Sequence, residues 1–353
     1  MSTITRHSRG RAAGVATEWG GRRVARTPTG TLVAGIDIGG TKTLAVAAGL
    51  GGAITATVRR PTRSGSSDRV LSTAIAALAE LAEVVGIPVD GFGAVGVGVP
   101  GLVDVQAGTV RHAINLGLGA SPVPLADVLG ARAHAQVVVD NDVNVAAIGT
   151  AAALGCSDLA YLNVGTGVAA GLMLGGRLRR GVRGAAGEVG HLPLDPDGPV
   201  CDCGQRGCLE VLTSGPALAR RWPPGQSAES VSRALLEAAA AGDPTAVEVR
   251  DEVAGYLADA IALLAQTVDP ELVVLGGGVA EGGDALLAAV MAALAERARH
   301  SAVVAALDLP ARVALVPEGV PVAALGAALA ARRQLLTRLD VVAGPAFQER
   351  EAL

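Results

Sequence analysis

Between His191 and Glu210 the chain reads HLPLDPDGPVCDCGQRGCLE, which gathers three of its four cysteines and one of its five histidines into one short segment. His191, Cys201, Cys203 and Cys208 offer one imidazole and three thiolates, the donor set of a closed tetrahedral zinc site. Gly204 and Gly207 let the backbone fold tightly around it. A disulfide is the competing reading, but it leaves one of the three clustered cysteines unpaired, and no signal segment points to an oxidising compartment. A structural zinc is therefore expected. Cys156, in the apolar run AALGCSDLAYL, reads instead as a small buried hydrophobe.

Two glycine-rich turns carry a second kind of chemistry. Asp37-Ile38-Gly39-Gly40-Thr41-Lys42 and Asn163-Val164-Gly165-Thr166-Gly167 each follow an apolar strand. Such turns expose backbone N–H groups that no side chain obstructs, as a phosphate chain requires when two loops clasp it. Either turn alone could be a plain hairpin. Lys42, however, is the sole lysine of the chain, the other basic residues being arginine, and a compact ammonium able to reach phosphate oxygens is a physical reason for that exception. Asp37 is placed to hold Mg²⁺ through its water shell. Neither turn matches GxxxxGK[ST], so this is not a P-loop. Farther on, Leu275-Gly276-Gly277-Gly278-Val279 runs a strand into glycines, where a flat base or ribose could approach the backbone closely, although a loop would read the same.

The elements that must position these residues fall into two similar halves. Strands are expected over 32–38, 44–49 and 54–59, a helix over 68–85 capped by Ser66 or Ser67, then a buried strand over 94–99, a short one over 136–139 and a helix over 143–154. The theme restarts with strands over 159–164, 168–174 and 177–180, and the zinc loop interrupts it. Helices over 217–221, 227–241 and 246–267 follow, then a strand over 272–275, a helix over 284–299, a strand over 312–316 and a helix over 322–336. Asp140, Asn141 and Asp142 stand between a strand and a helix. Asp and Asn are favoured helix caps, but three such side chains in a row exceed what one cap needs.

Composition narrows the class. The 353 residues suffice for two ordinary domains or one bilobal one, and half are apolar. Only Trp19, Trp222, Tyr161, Tyr256, Phe92 and Phe347 are aromatic, so base-stacking platforms are not expected. A formal charge of −4 gives no basic field for nucleic acid. The uncharged stretch 159–176 has a membrane span's length but alternates like two strands across a turn. A soluble cytoplasmic protein is expected, with residues 1–30, rich in arginine, as a disordered tail.

The segments DIGGTKT, GVGVPGLVD, DNDVNVAAIG, GEVGH and CDCGQRGCLE, in that order, together resemble the ROK family of sugar kinases and related repressors over residues 33 to about 336. Within the family the chain is most similar to the zinc-bearing glucokinases. The resemblance implies an α/β, two-lobed actin-like ATPase (ribonuclease H-like) fold with a cleft between lobes. It divides the chain into an N-terminal lobe over 31–141, completed by a helix near 322–336, a C-terminal lobe over 142–318 with the zinc loop 191–210, and a tail over 340–353. It implies transfer of phosphate from Mg-ATP to a hexose, most simply glucose to glucose 6-phosphate, in a homodimer or higher homo-oligomer. By residue it implies Asp142 as general base and Asn141, Asp142, Glu188, His191, Glu210 and Asn115 as sugar ligands. Asp37, Gly39, Gly40, Thr41, Lys42, Gly165, Thr166, Gly167, Gly277 and Gly278 would take ATP, and His191 would serve zinc and sugar with its two ring nitrogens. His7, His112, His134 and His300 read as ordinary surface or core residues.

The sequence also departs from the family's pattern. Thr150 stands where an acidic residue is frequent, Val143 and Val145 replace alanines, and Leu209 replaces an aromatic residue. These changes leave the sugar open, with N-acetylmannosamine or another amino sugar as the alternative. A sugar-responsive regulator of the family is the reading from another class. It needs roughly 60–80 residues of winged helix ahead of the first strand, and about thirty precede it here. A polyphosphate-dependent kinase is a third reading, but such relatives generally lack the zinc loop.

Overall fold

A computed structural model describes residues 32–223 and 230–343. The tail expected over 1–30, His7 included, and most of that expected over 340–353 lie outside the described residues.

The chain opens with a meander of β1 (Leu32–Ile38), β2 (Lys42–Gly49) and β3 (Ile54–Pro61), followed by α1 (Ser67–Val85) and β4 (Val95–Val99). A small hairpin of β5 (Leu102–Asp104) and β6 (Thr109–Arg111), then α2 (Leu125–Ala133), β7 (Val137–Asn141) and α3 (Asp142–Leu154), complete the first part. The second meander is β8 (Leu159–Val164), β9 (Val168–Leu174) and β10 (Arg177–Arg179). After it come α4 (Leu209–Thr213), α5 (Gly215–Arg221), α6 (Val231–Ala240), α7 (Pro244–Val268), β11 (Leu272–Gly276), α8 (Gly283–His300), α9 (Ala302–Ala306), β12 (Val313–Leu315) and α10 (Val322–Ala343).

The two halves share one topology. The first sheet has the order β3-β2-β1-β4-β7 and the second β10-β9-β8-β11-β12. In each, the meander pairs antiparallel and the last two strands join parallel to the central one. Ligands in such mixed sheets bind outside the carboxyl ends of the strands, where the connections diverge. Burial follows position: β1, in the middle, is buried along nearly its whole length, whereas edge strand β3 alternates exposed and covered residues.

Helices cover both faces of each sheet. In the first, α1 and α2 pack on one face with Leu71, Leu78, Leu81 and Leu129, and α10 covers the other with Ala324, Ala328 and Ala331. In the second, α4 to α8 form one layer and α3 the other. The C-terminal helix thus returns to the sheet that opened the chain. Against it runs α3, and the two helices approach closely. A Cβ on Gly149 would lie 1.8 Å from Val322 O, and one on Gly326 would lie 1.7 Å from Val145 O. Thr150, on this interface, is fully buried, so an acid there would be a buried charge.

Local chemistry sets several boundaries. Ser66 accepts the Arg69 N–H to start α1, and Gly86 ends it in the left-handed conformation. Asp243 caps α7, with Pro244 in its first turn. Several sequence expectations are corrected. The β5–β6 hairpin and α2 were not anticipated, because three-residue strands and a nine-residue helix carry too short a period to read. The helix expected over 227–241 begins at Val231, with 224–229 outside the described residues. α10 continues past 336 to Ala343. Cys156 is half-buried, its thiol donating to Asp158 O at 3.5 Å and Glu271 Oε2 at 3.6 Å.

Candidate active site

Three strand ends of the first sheet converge. Asp37, near the end of β1, pairs with Gly98 on β4, which pairs with Asp140 on β7. A Cβ on Gly98 would crowd Val145 and come within 3.7 Å of the Asp142 Cα, so its absence lets the first turn of α3 seat on the sheet edge. Asp142 is the first residue of that helix and only half-buried. Burial pushes its carboxyl above the ordinary value, with the Glu188 charge adding to the shift, while the Val143 N–H and the Asn141 side chain pull it down. Burial likewise pushes Asp37 up to about 7, helped by the Asp142 charge and opposed by Lys42. Asp37, Lys42, Asp142 and Glu188 therefore form one electrostatic group.

The neighbouring residues divide the work of holding this turn. Asn141 caps α3, its Oδ1 accepting the Val143 N–H at 2.9 Å and the Asn144 N–H at 3.3 Å, and its Nδ2 donates to Gly101 O at 3.3 Å. Its acceptor is thus engaged, and what remains for a ligand is one amide hydrogen. Asp140 is buried. Its Oδ1 takes the Asn141 N–H at 2.8 Å and Asn144 Nδ2 at 3.1 Å, and its Oδ2 pairs with the Arg180 guanidinium, Nε at 3.1 Å.

In the first glycine turn, the Gly39 N–H donates to Lys42 O at 2.9 Å, and Gly40 abuts the backbone of Asn115. Thr41 and Lys42 are exposed. The second turn closes through the Gly165 N–H to Gly167 O at 2.9 Å, and the Val168 N–H donates to Glu210 Oε2 at 2.9 Å. Gly277, in a positive-φ conformation, lies flat against Val164 O and the Asn163 side chain, so the third glycine segment meets the second turn.

His191, Cys201, Cys203 and Cys208 come together, all four donor atoms lying within 4.8 Å of one another. Cys203 and Cys208 Sγ are 3.6 Å apart and Cys201 Sγ is 3.7 Å from His191 Nδ1. A tetrahedron of thiolates around zinc has edges of about 3.8 Å, and a disulfide would bring sulfurs to about 2 Å. The set fits a zinc ion. Burial pushes the Cys201 and Cys208 thiols up, the latter to about 12, while Gln205 donors draw Cys203 down to about 6. A dication would offset that cost of ionising buried sulfur. The Gln205 amide also donates to His191 O at 3.0 Å.

A model of the ROK family matches residues 33–334. The chain belongs to the ROK family. It is 37% identical over 211 residues to a glucokinase of Halalkalibacterium halodurans, covering 55% of this chain and 63% of that one, so the match spans less than two thirds of that relative's length. A Streptomyces coelicolor glucokinase is 34% identical over 280 residues, covering 72% of this chain and 84% of its own. A solved ROK glucokinase from Streptomyces griseus, in complex with glucose and AMPPNP, superposes with a TM-score of 0.69 at 32% identity, over 86% of this chain and 99% of that one. The two-lobed α/β fold of this ROK protein is that of ROK kinases.

Two residues that contact or share a field with the candidate site residues were not picked out from the sequence. Tyr161 on β8 is buried, with its ring against Gly276, and its hydroxyl is pushed up first by burial and then by the Asp37 and Asp142 charges. Its only signal was a polar tip on an apolar strand. Arg180, the partner of Asp140, looked like one arginine among many. A groove of about 570 Å³ between α7 and α8, lined by Asp259, Arg297 and Val304 among others, includes none of the predicted site residues. The apolar segment Gly278–His300 has a span's length and a mean hydropathy of 1.5, but most of it is α8, where Arg297 bonds Asp259 and Gly255 O on α7.

Proposed function

We propose that this ROK protein transfers the γ-phosphoryl group of ATP to a hexose hydroxyl, glucose to glucose 6-phosphate being the first candidate. What carries the reading is a carboxylate of raised pKa, Asp142, at a helix start, in one electrostatic group with Asp37, Lys42 and Glu188. Phosphoryl transfer asks for a base on the acceptor hydroxyl, charge placed around the phosphates and exclusion of water. Asp142 would accept the hydroxyl proton. Lys42 and the backbone N–H groups of the two turns would hold phosphate oxygens, with Asp37 at the water shell of Mg²⁺. Glu188, His191, Glu210, Asn115 and the free amide hydrogen of Asn141 would fix the sugar. Zinc would stiffen the loop that carries His191. Since its Nδ1 lies toward Cys201, Nε2 is left for the sugar.

The test is ADP release with Mg-ATP against glucose, N-acetylmannosamine, N-acetylglucosamine, mannose and fructose, for the native chain and Asp142→Asn. One sugar should be phosphorylated, and the variant should lose about 10²- to 10⁴-fold in kcat while still binding it. Sugar-dependent stabilisation without turnover would mean a sugar sensor instead. Because Asp142 must be ionised, kcat/KM should fall on the acid side at a pH above the ordinary carboxylate range.

A further inference from the structure

The β8–β9 turn carries no charged side chain, yet two bonds tie it to the segment that leaves the metal cluster. The Val168 N–H donates to Glu210 Oε2 at 2.9 Å, and the Gly215 N–H donates to Gly165 O at 2.8 Å. Glu210 lies in the first turn of α4, whose N-cap is Cys208, and Gly215 opens α5, directly after Ser214. The contact is tight. A Cβ on Gly167 would lie 2.7 Å from the same Glu210 oxygen, so the carboxylate rests on the turn itself. Val168 is buried, so its N–H has no ready replacement partner in water. Among the described residues no bond reaches Glu210 Oε1.

We propose that Glu210 is a positioning residue for the second phosphate-binding turn: Oε2 holds the Val168 N–H, and with it Gly165 to Gly167, in the shape that receives phosphate, leaving Oε1 for a sugar hydroxyl. This rests on reading the site as one for sugar and nucleotide. One carboxylate then touches both ligands' territories, and whatever sugar does to Glu210 is felt at the turn. By linkage the reverse must hold, so sugar and nucleotide affinities are coupled.

The experiment is calorimetric titration of MgADP into the full chain without sugar, for the native protein, Glu210→Ala and Glu210→Gln, with glucose titrated separately. The alanine variant leaves a buried N–H unpaired, and MgADP affinity should fall about ten-fold. Glutamine keeps a carbonyl oxygen for the Val168 N–H, so MgADP affinity should stay within about three-fold, while glucose affinity falls in both variants. Unchanged MgADP binding in Glu210→Ala with weakened glucose binding would make Glu210 a sugar ligand alone and overturn the proposal. Tighter MgADP binding in that variant, from removal of a negative charge near the phosphates, would overturn it too. Should the alanine variant not fold, equal loss of both ligands in Glu210→Gln counts against it, and selective loss of glucose supports it. Absence of MgADP binding by the native chain would instead remove the sugar-kinase reading on which all this stands.

Discussion

The two glycine-rich turns occupy equivalent places in two sheets of identical strand order, but they are held by different means. The β1–β2 turn brings its own charges, Asp37 and Lys42, and is braced by backbone. Its Thr41 carbonyl accepts the Thr62 N–H at 2.9 Å, and Gly40 rests on the Asn115 backbone. The β8–β9 turn is neutral and is braced from outside, by the Glu210 carboxylate and the Gly215 N–H, both downstream of the metal loop. A duplicated scaffold therefore yields two unlike turns, and in the proposed site one would act electrostatically and the other geometrically. The fold supplied the places, and Glu210 and Gly215 on α4 and α5 supplied the asymmetry.

Loss of the proposed zinc should strike only one half, and hardest. Chelation, or Cys208→Ser at the start of α4, should cost about 10- to 100-fold in sugar affinity and lower the melting temperature, as read by calorimetry with metal content measured alongside. Loss of the first turn's contribution to nucleotide binding to the same extent would erase the distinction. Next, Lys42→Ala should raise KM for ATP about ten-fold, whereas Thr166→Ala in the neutral turn should change it by no more than about three-fold; steady-state kinetics at fixed sugar separates them.

A smaller effect sharpens the electrostatic half. With Asp37 raised to about 7 in the fold and ordinary when unfolded, the folded state holds the proton more tightly across the interval between. Stability of the ligand-free protein should thus decline as pH rises from about 4 to about 7, and Asp37→Asn should make that decline shallower, leaving the part that comes from Asp142. At pH 8 the variant should melt a few degrees higher than the native chain, and at pH 4 about the same; melting curves across pH would show it. Smallest of all, Tyr161→Phe removes a buried hydroxyl packed against Gly276 and should change stability in denaturant unfolding by about 1 kcal/mol or less.

Much of the fold was legible because its signals are local. The spans of β8 and β9 follow from apolar alternation broken by Gly165 and Gly167, and α1 from helical spacing behind Ser66. The β5–β6 hairpin and α2 were not legible, since their stability comes from packing under Val110 and Leu129 and not from their own pattern. The cysteine spacing on its own announced that His191, Cys201, Cys203 and Cys208 would come together. The Asp140–Asn141–Asp142 run stood out in the sequence but not its division of labour: Asn141 caps the helix, Asp140 pairs with Arg180, and Asp142 opens the helix with a raised carboxyl pKa.

The candidate chemistry was thus written in the sequence itself: the His and Cys donors of the 191–210 loop, the bare glycine turns, the single lysine and the acidic run. These are properties of residue type and short spacing, which no tertiary context can alter. Only the folded chain decided which of these groups share a field and which support others. The proximity of Asp37 to Asp142, of Arg180 to Asp140 and of Glu210 to Val168 joins residues 105, 40 and 42 positions apart. Burial where Asp37 meets Asp142 raises both of their carboxyl pKa values, and burial is a property of the assembled sheets, not of any segment.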